Sequence, residues 1–394
     1  MAQRSAAKRH APGTRRSRGR GAAIAAAALL LALSAFSALG HGESLEGDDP
    51  SARAASATGH SAGGPVQPVA VLFDLRRRGR PVKPGFLGLS FEVASLPQIA
   101  RYDGGGNFIK LLRSLGPGVL RFGGASADTR IAWSDASTPT PAWASGVLTE
   151  SDLRALAKVA SSSGWRVLLT LGLAHYEPLA AAHEAGAARA ALGSTLAGIE
   201  LGNEPDAYAN HALREEPWTF AQYDGQAHGY LGAIRAQAPG IPLAGPDVSG
   251  SAAFIDWGSG EARLRPQLLT GHHYPLGCHE VPGPSIERLL SAETRQAEDV
   301  SLARYMRVAR ADGIAFRLDE TNSVSCGGRA GVSDTFASAL WAVSYIARAM
   351  AAGVSGINFH DDPANCRGYA PLCALTAARL GSGALSARPE WYAL

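Results

Sequence analysis

The stretch Ile199-Glu200-Leu201-Gly202-Asn203-Glu204-Pro205-Asp206 decides how this chain is read. A short apolar run ends in a turn of Gly, Asn and Pro, and the turn carries carboxylates, which is the form of a strand opening into a polar loop. Far downstream, Phe316-Arg317-Leu318-Asp319-Glu320-Thr321-Asn322 has the same form. Outward from these two segments, from Phe86 onward, short apolar runs alternate with longer amphipathic stretches, the pattern of βαβ units and a parallel sheet. The strand candidates are Phe86 to Phe91, Val119 to Phe122, Arg166 to Leu171, Gly198 to Leu201, Pro242 to Ala244, Leu268 to His273, Ala315 to Leu318 and Gly356 to Phe359. Helical stretches between them include Asn107 to Leu115, Glu150 to Ser162, Thr219 to Ala238, Ser285 to Arg310 and Asp334 to Ala352. Eight such units predict an α/β protein with a (β/α)8 TIM barrel over residues 81–394 rather than an open doubly wound sheet. No Gly-x-Gly-x-x-Gly follows the first strand, and Gly104-Gly105-Gly106 lacks the dinucleotide spacing. No cofactor is expected.

The N-terminal region reads differently. Residues 1–40 join a basic stretch, ending in Arg15-Arg16-Ser17-Arg18-Gly19-Arg20, to an apolar run from Gly21 to Gly40. This predicts a signal peptide and a secreted or cell-surface protein, with an uncleaved membrane anchor as the alternative. Residues 41–65 are Gly, Ser, Ala and Asp rich without periodicity, a disordered linker, and 66–80, with Val69, Val71 and Phe73, read as an N-terminal strand. Hydrophobic residues make up 46% and charged residues 18%, an ordinary globular balance. The formal charge of +3 comes from the leader. Removing its seven bases from the 37 leaves 30 against 34 acids, a net of −4, so the body offers no electrostatic footprint for nucleic acid. The four cysteines, Cys278, Cys326, Cys366 and Cys373, allow three connectivities; in an exported chain two disulfides are expected, taken here as Cys278 with Cys326 and Cys366 with Cys373. A zinc site is disfavoured, because no Cys-x-x-Cys pair exists.

Active sites of such barrels lie at the C-terminal ends of the strands, where Glu204 and Glu320 fall on the fourth and seventh. Two carboxyls at one mouth are what glycosidic bond cleavage needs: one protonates the leaving oxygen, the other meets the oxocarbenium-like carbon, and in the retaining geometry they stand about 5 to 5.5 Å apart. A lone strand-end Glu is more often a solvated rim residue; it is the pair that points to chemistry. Arg121 is expected to keep one of them ionised. His272 and His273 invite a metal reading, but adjacent strand residues face opposite ways and cannot share one ion, so no metal is predicted; one lines the pocket and the other packs in the wall. Trp133, Trp143 and Trp165 are candidate sugar platforms, with Trp165, at a strand entrance, assigned to the core.

With these motifs in hand the chain resembles glycoside hydrolase family 79, the heparanase and β-glucuronidase group, within a clan of retaining (β/α)8-barrel glycosidases. The matching pieces run from Phe86 to the C-terminus and include Gly88-Leu89-Ser90-Phe91-Glu92, Leu120-Arg121-Phe122-Gly123-Gly124, Gly245-Pro246-Asp247-Val248, His272-His273-Tyr274-Pro275 and the segment Cys326-Gly327-Gly328 through Ser333-Asp334-Thr335-Phe336. The resemblance implies Glu204 as acid/base, Glu320 as nucleophile, and Asn203 on the sugar 2-hydroxyl. It also implies Glu92 as a reader of sugar hydroxyls, Tyr274 on the nucleophile, His273 as a substrate contact, and the loop Asn322 to Arg329, with Gly327 and Gly328, bringing backbone N–H groups to a substrate carboxylate. The implied partner is a β-linked uronic-acid glycoside; a neutral sugar and a non-catalytic carbohydrate-binding role are the alternatives. Two departures stand out. Ser325 and Phe359 replace expected tyrosines, with Tyr369 or Ser323 as substitutes, and the family's C-terminal β-sandwich, which also recruits the N-terminal strand, is expected to be missing because the chain stops at Pro389-Glu390-Trp391-Tyr392-Ala393-Leu394.

Overall fold

The computed structural model describes Arg76 and residues 81–394. The expected leader and linker lie outside the described residues, as does the strand 66–80 apart from Arg76, which sits in a turn. Among the described residues no helix is long and apolar enough to cross a membrane.

Eight parallel strands, β1 Leu87–Glu92, β2 Val119–Gly123, β3 Arg166–Leu171, β4 Leu196–Leu201, β5 Ala244–Val248, β6 Leu268–His273, β7 Ala315–Thr321 and β8 Gly356–His360, form one sheet. Their order is β4-β3-β2-β1-β8-β7-β6-β5. The two ends of that sheet meet where Ile199 of β4 bridges Leu243, ahead of β5, and donates its N–H to the Pro242 carbonyl at 3.0 Å. The ring closes as a (β/α)8 barrel, with helices α1 Phe108–Ser114, α2 Glu150–Ser163, α3 Pro178–Leu192, α4 Phe220–Gln237, α5 Phe254–Glu261, α6 Ala292–Asp312 and α7 Phe336–Ala352 following the strands in turn.

Local chemistry sets these elements. Thr149 and Asp152 form a capping box that starts α2, which buries Leu153, Leu156, Val159 and Ala160 at helical spacing and stops at Gly164 in the left-handed region. Thr219 and Gln222 start α4 in the same way. Within the strands, alternate residues face out and in. Leu89, Phe91, Leu120, Phe122, Leu169 and Ile199 join the helices in the main core, and each such large side chain contributes about 1.5 to 3 kcal/mol on burial. The inward set begins with a small apolar plug of Val119, Leu168 and Ala244 and continues with buried polar side chains: Ser90, Arg121, Thr170, Glu200, Asp247, Thr270 and Asp319. Trp165 is core, 1% exposed, its indole N–H shared between the Leu112 and Gly116 carbonyls at 3.2 and 2.7 Å.

Most strand ends lie within one residue of the sequence reading, and three strands differ by more. β4 starts at Leu196, β7 continues to Thr321, and β5 occupies 244–248 rather than Pro242 to Ala244. β5 is ladder-paired only with β6, with a register shift between Pro246 and Val248. A residue with no N–H to donate is tolerated on such a half-paired strand.

The structure pairs Cys278 with Cys326, 48 residues apart, and Cys366 with Cys373, seven apart. The first bridge ties the loop after β6 to the loop after β7. Loop-closure entropy gives about 4 kcal/mol for the longer loop and about 2 kcal/mol for the shorter. Urea unfolding of C278S/C326S and C366S/C373S is therefore expected to show the larger loss in the first variant.

Candidate active site

Arg121 is the centre around which the site is built. It projects inward from β2, fully buried, and its guanidinium reaches acids on three other strands. Nη1 donates to Glu320 Oε2 at 2.5 Å and Nη2 to Asp247 Oδ2 at 2.7 Å, while Nε lies 3.4 Å from Glu200 Oε2 and 3.5 Å from Asp319 Oδ2. Nη2 also donates to Asn203 Oδ1 at 2.8 Å. A buried guanidinium without such partners would be prohibitive, and burial does work against its charge, but Asp247, Glu320, Asp319 and Glu200 together hold Arg121 well above the ordinary arginine range. Gly123 makes room for this group: a Cβ there would sit 2.4 Å from the guanidinium carbon.

One cation cannot neutralise four carboxyls. Burial, then the charge of Asp319, pushes Glu200 up to about 7, and one of its oxygens has no partner, so it is the natural holder of a proton. Asp247 is likewise pushed upward by burial, against the pull of Arg121 and His272; both of its oxygens accept from those donors, a geometry that suits the ionised form.

The two sequence-predicted glutamates face each other. Glu320, on β7, accepts from Tyr274 Oη at 2.8 Å, and His360 Nδ1 lies 3.2 Å from its other oxygen. Burial opposes its charge, yet His360, His272 and Arg121 hold the carboxyl well below the usual carboxylate range. Glu204, in the turn after β4, accepts from or donates to His272 Nδ1 at 2.8 Å. A carboxylate oxygen of Glu204, one of Glu320 and a ring nitrogen of His272 all lie within 4.8 Å of one another. Glu204 has φ 50° and ψ 51°, and Asp247 has φ 60°; left-handed backbone at a non-glycine residue costs of order 1 to 3 kcal/mol. The turn and β5 brace each other, since Glu204 N–H donates to the Asp247 carbonyl at 2.9 Å.

Glu204, Glu320 and Tyr274 floor a cavity of about 820 Å³ at the C-terminal ends of the strands, lined also by Glu92, Arg130, Asn203, His211, Ser325, Gly327, His360 and Tyr369. Glu92 takes the Ser126 N–H at 2.8 Å, and a Cβ at Gly124 would meet its carboxyl at 2.5 Å. Several expectations need correction. His273 does not reach the cavity; it packs on the Tyr345 ring at 5.6 Å and burial lowers it to about 4. Strand alternation sends it outward and brings His272 in. Asn322 is a clamp: Nδ2 donates to the His360 and Tyr369 carbonyls and to Glu390, and Oδ1 accepts from Ser323 N–H. Gly328 gives its N–H to the Ser325 carbonyl and packs against the Tyr369 backbone, leaving Gly327 at the cavity. Of the two substitutes for missing tyrosines, Tyr369 lines the cavity, whereas Ser323 is buried and donates to Ser333. Trp133 and Trp143 line a separate cavity of about 30 Å³, too small for a sugar.

Sequence reasoning missed the roles of Glu200, Asp247, His272, Asp319 and His360. The signal was present: each is a polar residue at an inward position of an otherwise apolar buried strand or at its end. For an ion, Asp247, His272 and Asp319 come within reach of one another, but the Arg121 guanidinium already shares Asp247 and Asp319, and its charge disfavours a metal there. Cys278 and Cys326, grouped with His279, are disulfide-bonded and offer no thiolate.

No family model matches the chain. The chain is similar to a curated beta-glucuronidase of Aspergillus niger, 29% identical over 180 residues, 40% of this chain and 33% of that protein. It is also similar to a beta-glucuronidase of Neurospora crassa, 28% identical over 224 residues, 50% of this chain and 37% of that protein. The chain thus matches about a third of the length of these curated relatives. Among solved structures, a 4-O-alpha-L-rhamnosyl-beta-D-glucuronidase from Fusarium oxysporum shares the fold with a TM-score of 0.59 at 19% identity, covering 79% of this chain and 68% of that one. A monomeric beta-xylosidase from Caulobacter crescentus does so with a TM-score of 0.52 at 15% identity, covering 81% and 69%.

Proposed function

We propose that this chain is a retaining glycoside hydrolase that cleaves β-linked glucuronides by double displacement, and that it is exported and belongs to glycoside hydrolase family 79. The observation that carries the reading is the facing pair of carboxyls, one oxygen of each within 4.8 Å of the other, a close spacing that favours the retaining arrangement over the carboxyl groups set roughly 6.5 to 9.5 Å apart in inverting enzymes. Glu320, ionised by its cationic neighbours and oriented by Tyr274, attacks the anomeric carbon while Glu204 protonates the leaving oxygen. Glu204 then takes a proton from the water that cleaves the glycosyl ester. Asn203 keeps Oδ1 on Arg121, which frees its Nδ2 group for the sugar 2-hydroxyl. The glucuronide preference is supported by the names of the two curated relatives and by the Gly327 backbone and Tyr369 at the cavity. Two disulfides among the described residues fit an oxidising compartment.

Aryl β-glucuronide, β-xyloside and β-glucoside hydrolysis by the wild type tests the substrate class, and a proton spectrum of the first-formed sugar tests retention. Turnover confined to a neutral glycoside would overturn the glucuronide assignment; binding without turnover of any of the three would favour a carbohydrate-binding protein. Glu204→Ala is expected to lose about 10² to 10⁴-fold on a poor leaving group such as phenol, and far less on 2,4-dinitrophenol in the glycosylation step, read as a burst.

A further inference from the structure

We propose that Asp247 is a positioning residue that couples the two candidate catalytic glutamates, holding the His272 imidazole against Glu204 with one oxygen and the Arg121 guanidinium against Glu320 with the other. The geometry is a continuous chain across the barrel interior. Glu204 Oε1 meets His272 Nδ1 at 2.8 Å and His272 Nε2 meets Asp247 Oδ1 at 2.7 Å. Asp247 Oδ2 accepts from Arg121 Nη2 at 2.7 Å, and Arg121 Nη1 donates to Glu320. Asp247 also holds Glu204 through its own carbonyl. His272 and Asp247 are fully buried, so no solvent competes for these bonds.

The chemistry follows from where protons can sit. With Asp247 accepting from Nε2, His272 presents Nδ1 to Glu204, and the two share one proton: Glu204 carboxylic acid beside neutral imidazole and Glu204 carboxylate beside imidazolium are one macroscopic state. The groups facing His272 are Glu204 and Asp206 from the loop after β4, Asp247 from β5, and Asp319 and Glu320 from β7, with Arg121 beyond Asp247. Burial disfavours the imidazolium, but Glu320, Asp247 and Asp319 together raise His272 well above the ordinary histidine range. His272 therefore holds its proton through neutral pH, in hydrogen-bond contact with the carboxyl that would serve a leaving oxygen. Once Glu320 becomes a neutral glycosyl ester, one of the anions that raise His272 is gone, and the imidazole beside Glu204 holds its proton less tightly.

This inference rests on the glycosidase reading for its catalytic consequence, and the experiment separates the two. His272 is titrated by ¹⁵N spectra of histidine-labelled chain, its signals assigned by their loss in H272Q, for wild type, E320Q and D247N. Removing one facing anion should move the titration to lower pH by about one unit or more in E320Q and in D247N; an unmoved His272 in both overturns the coupling. Should D247N fail to fold, D247S is titrated in its place, and an unmoved His272 there overturns the proposal. In parallel, D247N should lose about tenfold more kcat/KM on phenyl than on 2,4-dinitrophenyl β-glucuronide, with the basic limb of the phenyl profile moved to lower pH. Equal losses on both with the limb in place mean a merely structural Asp247 and overturn the proposal. A wild type that turns over neither substrate refutes the glycosidase reading, while the imidazole titration still decides the coupling.

Discussion

Glu320→Ala is expected to lower kcat on an aryl β-glucuronide by about four orders of magnitude or more, the scale on which removing a nucleophile acts when the rest of the site remains. Azide should restore part of the rate, because the truncated side chain opens a space on the face of the sugar opposite the leaving group. A small anion attacking there should give a glycosyl azide of inverted anomeric configuration, in contrast to the retention expected of double displacement by the wild type. Contacts with Arg121, His360 and Tyr274 favour an ionised Glu320 at rest, as attack on the anomeric carbon requires. Rescue by azide with retained configuration, or undiminished turnover by the variant, contradicts the assignment.

Arg121→Met should act on stability first. It removes the cation between Glu200, Asp247, Asp319 and Glu320 and leaves buried carboxyls facing one another, a loss of about 3 to 5 kcal/mol at neutral pH. The sign of its pH dependence is opposite to that of ordinary acid denaturation. Without the guanidinium these acids fold best when protonated, so their folded pKa values lie above the unfolded ones. Such groups contribute stability that is full below the unfolded pKa and is lost as pH rises through the folded pKa. The Tm of the variant should therefore climb toward that of the wild type as pH is lowered from 8 to 5, and a gap that widens instead would show that the cluster is not what Arg121 stabilises.

The barrel was legible because its outward-facing strand residues are apolar and its helices carry caps, so periodicity and punctuation agree along the chain. β5 is the exception: Gly245, Pro246 and Asp247 are turn residues in any local reading, and only pairing with β6 makes them a strand. The glutamate pair was legible from its turns, Asn203-Glu204-Pro205 above all. The surrounding charges were not, since Arg121 recognises its partners across residues 200, 247, 319 and 320, and no local pattern reports a contact that spans the ring. The His272 and His273 pair shows the same limit on a smaller scale. Alternation says that they diverge; which one turns inward depends on the register of β6 against β7, where a shift falls between Gly271 and His272.

The join between β4 and β5 consists of the Ile199 bridge rather than a full ladder, and Arg121, rooted in β2, reaches Glu200 on one side of that join and Asp247 on the other. The same arginine thus works as a tie rod across the weakest stave of the cask. The charge state of Glu320 and ring integrity are then inseparable in this molecule: a change that retunes the Glu320 carboxyl by altering Arg121 also loosens the place where the cylinder would first come apart.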